Sequence, residues 1–144
     1  MKTSKDRILT THVGSLPRSK AVTDTVFAQE QGESPEGADQ IIRDAVRDVV
    51  AKQVDVGVDI VSDGEMSKIS YATYIKDRIT GFDGDSERRP PSDLEEFPNF
   101  LKRQASSGGT PTYRRPCCVA EIRVKDMGPV GEDIDNMAAA MRHS

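Results

Sequence analysis

Two short segments hold the residues best suited to chemistry. The first is His12-Val13-Gly14-Ser15-Leu16-Pro17-Arg18 and the second is Ser62-Asp63-Gly64-Glu65-Met66. In the first, glycine lets a ligand come close to the backbone, and Ser15 offers both an N–H and a hydroxyl. In the second, two carboxylates surround a glycine, an arrangement that can hold an ammonium group or polarise a nucleophile. Each has a plainer reading. His12 at a strand end is equally a hydrogen-bonded structural histidine, Gly14 and Pro17 are turn residues, and Asp63 can cap the turn that follows it. Arg88-Arg89 and Arg114-Arg115 precede prolines in polar loops and read as solvated. Cys117-Cys118 lacks the spacing of a zinc pair and reads as a buried strand position. His143 lies near a frayed end. There is no Walker loop, no G-x-G-x-x-G, no H-E-x-x-H and no C-x-x-C, so spacing alone names no reaction.

The elements that must position these segments follow from hydrophobic periodicity. Residues 8–13 are rich in β-branched side chains and read as a short strand, cut off by Gly14-Ser15-Leu16-Pro17. Residues 19–32 read as a short helix ending at Gly32. From Ala38 to Val56, Ala38, Ile41, Ile42, Ala45, Val46, Val49, Val50 and Val54 form a stripe opposed by Arg43, Asp44, Arg47, Asp48 and Lys52, the pattern of an amphipathic helix. Ser34-Pro35-Glu36 supplies a start and Gly57 a C-terminal cap. Val58-Asp59-Ile60-Val61 is a second strand. Strand, helix, tight turn and strand in this order predict a parallel pair with a helical crossover. A helix is predicted over Tyr71 to Ile79, closed by Gly81, and another from Ser92 to about Gln104. Residues 117–124 are a third strand and Asp133 to Met141 a final helix.

The chain has 144 residues, 35% of them hydrophobic and 31% charged, and a net charge of −4. That acidic balance argues against nucleic-acid binding, which needs a basic face. No apolar run approaches the roughly 20 residues of a membrane span. No signal-type apolar core follows the charged N-terminus, and two adjacent cysteines make no disulfide framework, so the cytoplasm is the expected location. In parallel α/β architectures ligands gather at the C-terminal ends of strands, where both chemical segments fall. Three strands are few for a complete α/β domain, so residues 1–144 read as a single incomplete domain.

Ile8 through Arg18 resembles the opening strand of the cobalamin-independent methionine synthase family, and Gln53 through Met66 is similar to that family's second-strand signature. Lys68-Ile69-Ser70-Tyr71 and Tyr74 through Phe82 resemble its smaller, methionine synthase II-like relatives. Arg115-Pro116-Cys117-Cys118 with Ile122, then Asp133-Ile134-Asp135-Asn136, resembles the third strand and its helix. The resemblance implies an α/β fold that is a partial (β/α)8 TIM barrel of about the first three βα units. It implies zinc-dependent transfer of a methyl group from 5-methyltetrahydrofolate to homocysteine, with zinc binding the substrate thiol as a thiolate.

Carried onto this chain, the resemblance makes Val13, Gly14 and Ser15 the holders of the substrate carboxylate and Glu65 the partner of its amino group. His12 and Asp63 are second-tier candidates. The family's His-x-Cys, later glutamate and distant cysteine have no counterpart here, so no zinc ligand is assigned and the 144-residue chain alone is expected to be inactive. Alternatives are a related zinc alkyl transferase using another thiol such as coenzyme M, or a non-catalytic remnant or binding module. An unpaired edge at the third strand predicts self-association.

Overall fold

The computed structural model describes residues 3–84, 92–106 and 116–142. Arg88, Arg89, Arg114, Arg115 and His143, and the expectations attached to them, lie outside these residues. The elements are α1 (Lys20–Glu30), α2 (Ala38–Asp55), α3 (Tyr71–Arg78), β1 (Phe82–Asp83), a 3-10 turn (Ser92–Leu94), α4 (Pro98–Ser106), β2 (Cys117–Cys118) and α5 (Gly128–Arg142). The architecture is mixed α/β. Among the described residues no helix is long and apolar enough to cross a membrane.

The periodic stripe forms α2 as its spacing requires. Ala38, Ile42, Val46, Val49 and Val50 are buried, and Val50 is fully enclosed. Ile42, Val46, Val49 and Val50 join Val22 and Val26 of α1, Met66, Ile69 and Ala140 of α5 in one core. The helix stops as its glycine predicts. Gly57 has φ +81°, its N–H donates to the Val54 carbonyl at 2.9 Å, and the Val58 N–H donates to the Gln53 carbonyl at 2.9 Å. This pair of bonds is a Schellman closure. The start differs from expectation. Gly37, at φ +71°, occupies the N-cap with no side-chain cap, so Ser34 plays no capping role. α1 is capped by Ser19, whose hydroxyl accepts the Val22 N–H at 3.3 Å. α5 begins at Gly128, before the expected Asp133; Pro129 in a first turn costs no hydrogen bond, and the Asp126 carboxylate accepts the Gly128 N–H at 2.8 Å.

The two expected parallel strands meet side by side but pair at one bridge only, Thr11 with Ile60. The Ile60 N–H donates to the Thr10 carbonyl at 3.1 Å and the Thr11 hydroxyl to the Ile60 carbonyl at 2.7 Å. Asp59 ties the lower end, accepting the Thr10 N–H at 2.9 Å, the Thr10 hydroxyl at 3.1 Å and the Arg7 guanidinium. Gln53 ties the upper end. Only 5% exposed, it donates to the Ser62 carbonyl at 2.7 Å and accepts the Ser62 N–H at 3.0 Å.

The third strand departs from a parallel order. β2 runs antiparallel to β1, Phe82 opposite Cys118 and Asp83 opposite Cys117, and an antiparallel bridge joins Ile79 to Val124. Gly81 sets this local pairing, because a Cβ there would lie 2.6 Å from the Ala120 carbonyl oxygen. Cys117 and Cys118 are both exposed, not buried as expected. The ribbon is two residues wide in each strand, too short to build a covered face of its own.

Two stability predictions follow. Replacing Gln53 by leucine keeps the volume but leaves both Ser62 backbone groups unpaired, which should cost about 2 kcal/mol in urea denaturation; an unchanged midpoint would show that the clamp is dispensable. The Arg7 hydrogen bond, helped by the Thr10 amide, holds the Asp59 carboxyl far below its ordinary value. A depressed folded pKa contributes stability above the unfolded value that fades as pH falls through the folded one. The melting-temperature gap between wild type and Asp59→Asn should therefore be full at pH 7 and shrink steadily below about pH 4.

Candidate functional site

Beyond Thr11 the first segment alternates, with Val13 and Ser15 exposed and His12 and Leu16 turned inward. Gly14 then breaks the extended run at φ +93°. The amide N–H groups of Val13, Gly14 and Ser15 donate to no acceptor among the described residues. Next to them the second segment closes into a tight turn. Gly64 and Glu65 have φ +62° and +56°, and the Met66 N–H donates to the Asp63 carbonyl at 3.3 Å. Positive φ at both central positions is the mark of a type I′ turn. Leu16 docks on this turn, its N–H donating to the Gly64 carbonyl at 3.0 Å.

Glu65 is the one described non-glycine residue with positive φ. A non-glycine residue in this region carries about 1–3 kcal/mol of strain, and such strain collects at ligand sites. The turn is braced on several sides. Asp63 Oδ1 accepts the Glu65 N–H at 3.0 Å, and Arg18 Nη2 donates to the Glu65 carbonyl at 2.8 Å and the Lys68 carbonyl at 2.6 Å. The Ser15 hydroxyl donates to the Glu65 carboxylate. Serine and glutamate from segments 50 residues apart thus meet, beside a run of free amide donors. Such a site offers an anionic acceptor next to neutral N–H donors, a match for an ammonium and a carboxylate carried on neighbouring atoms.

A second polar group lies behind this turn. Lys68 Nζ is 3.1 Å from Asp63 Oδ2 and 3.6 Å from Asp133 Oδ2, and the Tyr74 hydroxyl donates to Asp133 Oδ2 at 2.7 Å. Burial pulls the Lys68 ammonium down, but the charges of Asp63 and Asp133 outweigh it, and its pKa stands above the ordinary value. Burial and the Asp133 hydrogen bond raise the Tyr74 phenol. The Arg78 guanidinium stacks 3.5 Å from the Tyr74 ring centroid. Lys68, Asp133, Tyr74 and Arg78 line a cavity of about 420 Å³ with Arg43 and Glu132.

The structure brings Ser15 and Glu65 together, with Gly14 and Val13 beside them. Asp63 does what its plainer reading held, capping the turn, and also binds Lys68. His12 faces away from this cluster. It lines an apolar groove of about 460 Å³ with Leu16, Val22, Val49 and Met66, and its buried Nε2 finds no partner among the described residues. The sequence assigns no role to Gln53, Arg18 or Lys68. Gln53 sat on the apolar stripe one turn past Val49 and Val50, a polar residue on a core face, which was the available signal.

The zinc that the family resemblance implies does not fit the described residues. No three His, Cys, Asp or Glu side chains among them converge on one point. Cys117 and Cys118 sit exposed on the ribbon.

The structure is mixed α/β, with a carboxylate and a hydroxyl meeting at the ends of the two parallel passes. The family profile described as "Cobalamin-independent synthase, Catalytic domain" matches residues 8–89, which hold both site segments. The chain belongs to this family. It is 35% identical over 74 residues to a 5-methyltetrahydropteroyltriglutamate–homocysteine methyltransferase of Bifidobacterium animalis subsp. lactis, covering 51% of this chain and 10% of the relative. It is 32% identical over 74 residues to the methionine synthases of Sulfolobus acidocaldarius and Saccharolobus islandicus, covering 51% of this chain and 22% of each. The matched part thus spans between a tenth and about a fifth of these relatives.

The two residues of the turn should respond unequally to substitution. A Cβ on Gly64 would lie 3.1 Å from Leu16 Cβ in a left-handed backbone, so Gly64→Ala should lose about 1–3 kcal/mol in urea denaturation. Glu65→Gly relieves strain while deleting the Ser15 bond, and should stay within about 1 kcal/mol of wild type. A Glu65→Gly loss as large as that of Gly64→Ala would show that the turn carries no strain at Glu65.

Proposed function

We propose that this chain is the amino-acid-binding portion of a methyltransferase of the cobalamin-independent methionine synthase type, built as the opening βα units of a (β/α)8 barrel. Its substrate is homocysteine, and the methyl donor of the complete enzyme is 5-methyltetrahydrofolate. The observation that carries this reading is the Ser15–Glu65 contact at the ends of the two parallel passes, beside N–H groups at Val13, Gly14 and Ser15 that have no acceptor among the described residues. The names of the relatives and the family match support the methyltransferase reading.

In this pose the ammonium of the substrate binds the free oxygen of Glu65, while the Ser15 hydroxyl holds the other oxygen and so fixes the carboxylate. The substrate carboxylate takes the N–H donors of Gly14 and Ser15, with Val13 beside them. The thiol then projects away from the turn. The chain's part is binding and orientation. Its described residues furnish no metal donor set, and that observation favours a second reading, a binding module without methyl transfer of its own. Coenzyme M is the poorer thiol for this site, because its sulfonate would face Glu65 with no ammonium to satisfy it.

Titration calorimetry with L-homocysteine and coenzyme M tests the reading. Homocysteine should bind, coenzyme M should bind at least tenfold more weakly, and Glu65→Gln should weaken homocysteine by about tenfold or more, as for loss of a charge-assisted bond. Absence of homocysteine binding, or equal affinity for both thiols, would overturn it. Methionine formed from homocysteine and methyl folate by this chain with zinc would exclude the second reading.

A further inference from the structure

We infer that Arg18 is the positioning residue that keeps Glu65 in its ligand-binding pose, an assignment that rests on the reading of Glu65 as the ammonium acceptor. Arg18 follows the first segment, yet its guanidinium crosses to the second. Nη2 donates to the Glu65 carbonyl at 2.8 Å and the Lys68 carbonyl at 2.6 Å, and lies 3.5 Å from the Ser15 hydroxyl oxygen. Asp63 Oδ1 takes the Glu65 N–H at 3.0 Å. Both polar groups of the Glu65 backbone are therefore engaged, one from each side, and its φ of +56° has no glycine to make it easy. Asp63 is in the same turn and moves with it. Arg18 belongs to the other pass, so it ties the Glu65 carbonyl to the segment that carries Ser15, beside the Leu16 N–H that holds the preceding Gly64 carbonyl.

The same nitrogen fixes the start of the Lys68 network. Holding the Lys68 carbonyl sets the backbone from which the ammonium reaches Asp63 and Asp133. The guanidinium is half-buried, and burial pulls its pKa down while the Glu65 charge opposes this, in keeping with a group enclosed for its geometry. Apart from its 3.5 Å approach to the Ser15 hydroxyl oxygen, Arg18 touches none of the groups that would meet the ligand. It acts on the acceptor, through the acceptor's own peptide group.

The test uses the whole chain and two readouts. L-homocysteine titration of Arg18→Ala should show affinity weaker by about tenfold or more, Arg18→Lys should fall between, and added methylguanidinium should restore part of the loss for Arg18→Ala. Independently, the Glu65 backbone amide shift and its HN–Hα coupling in labelled protein should report the left-handed φ in wild type and Arg18→Lys, and leave it in Arg18→Ala. If Arg18→Ala does not fold, Arg18→Gln takes its place in both measurements. Unchanged Glu65 backbone signals on loss of the guanidinium overturn the assignment. So does weakened binding that neither lysine nor methylguanidinium restores. A wild-type chain that binds no homocysteine would defeat the amino-acid reading, and the backbone signals would still decide the role of Arg18.

Discussion

The site depends on the termination of the second pass, and a buried amide side chain sets where that is. Gln53 gives its NH2 to the Ser62 carbonyl and its oxygen to the Ser62 N–H. A strand edge would otherwise offer those two groups to a neighbouring strand. With both taken by α2, the chain leaves the sheet direction at Ser62 and closes into the Asp63–Met66 turn. The helix is itself fixed by the core it forms with α1 and α5. Packing energy in the helical layer thus sets the position of a loop carboxylate.

The second constraint is the lateral tie between the two passes. A single parallel bridge is weak pairing, and side chains supplement it at each end. Asp59 gathers donors from Arg7 and Thr10, and Leu16 and Arg18 return to the turn at the far end. Strain at Glu65 is held by these neighbours and not by its own preference. Charge then spreads outward from the turn, through Lys68 and Asp133 to Tyr74 and Arg78, so the polar groups beside the site brace one another.

Much of this was legible because it depends on local pattern. The stripe from Ala38 to Val54 spelled a helix whose buried residues the structure repeats, and Gly57 ended it. Val58 to Val61 followed at once, which left the two passes few ways to lie except in parallel. Ser15 and Glu65 stood out because each follows a glycine at the end of an extended run. The third strand misled for the same reason. Residues 117–124 have strand composition, but composition does not specify a partner, and the partner proved to be the antiparallel segment after α3. Cys117 and Cys118 are exposed because the two-residue ribbon they sit on has no covered face, unlike a strand in a parallel sheet.

The sequence by itself determined the body of α2 and its closure at Gly57, and the two chemical segments with their glycines, since each rests on the conformational limits and polarity of residues within a few positions. Tertiary structure alone decided which side chains face one another across the two passes. That Ser15 meets Glu65, that Arg18 reaches two carbonyls 47 and 50 residues away, and that His12 turns to an apolar groove instead of the site all depend on register. Shifting a strand by one residue would send each side chain to the opposite face, and local preference cannot choose between the two. Only the packing of α2 on its neighbours, with Gln53 gripping Ser62, selects one.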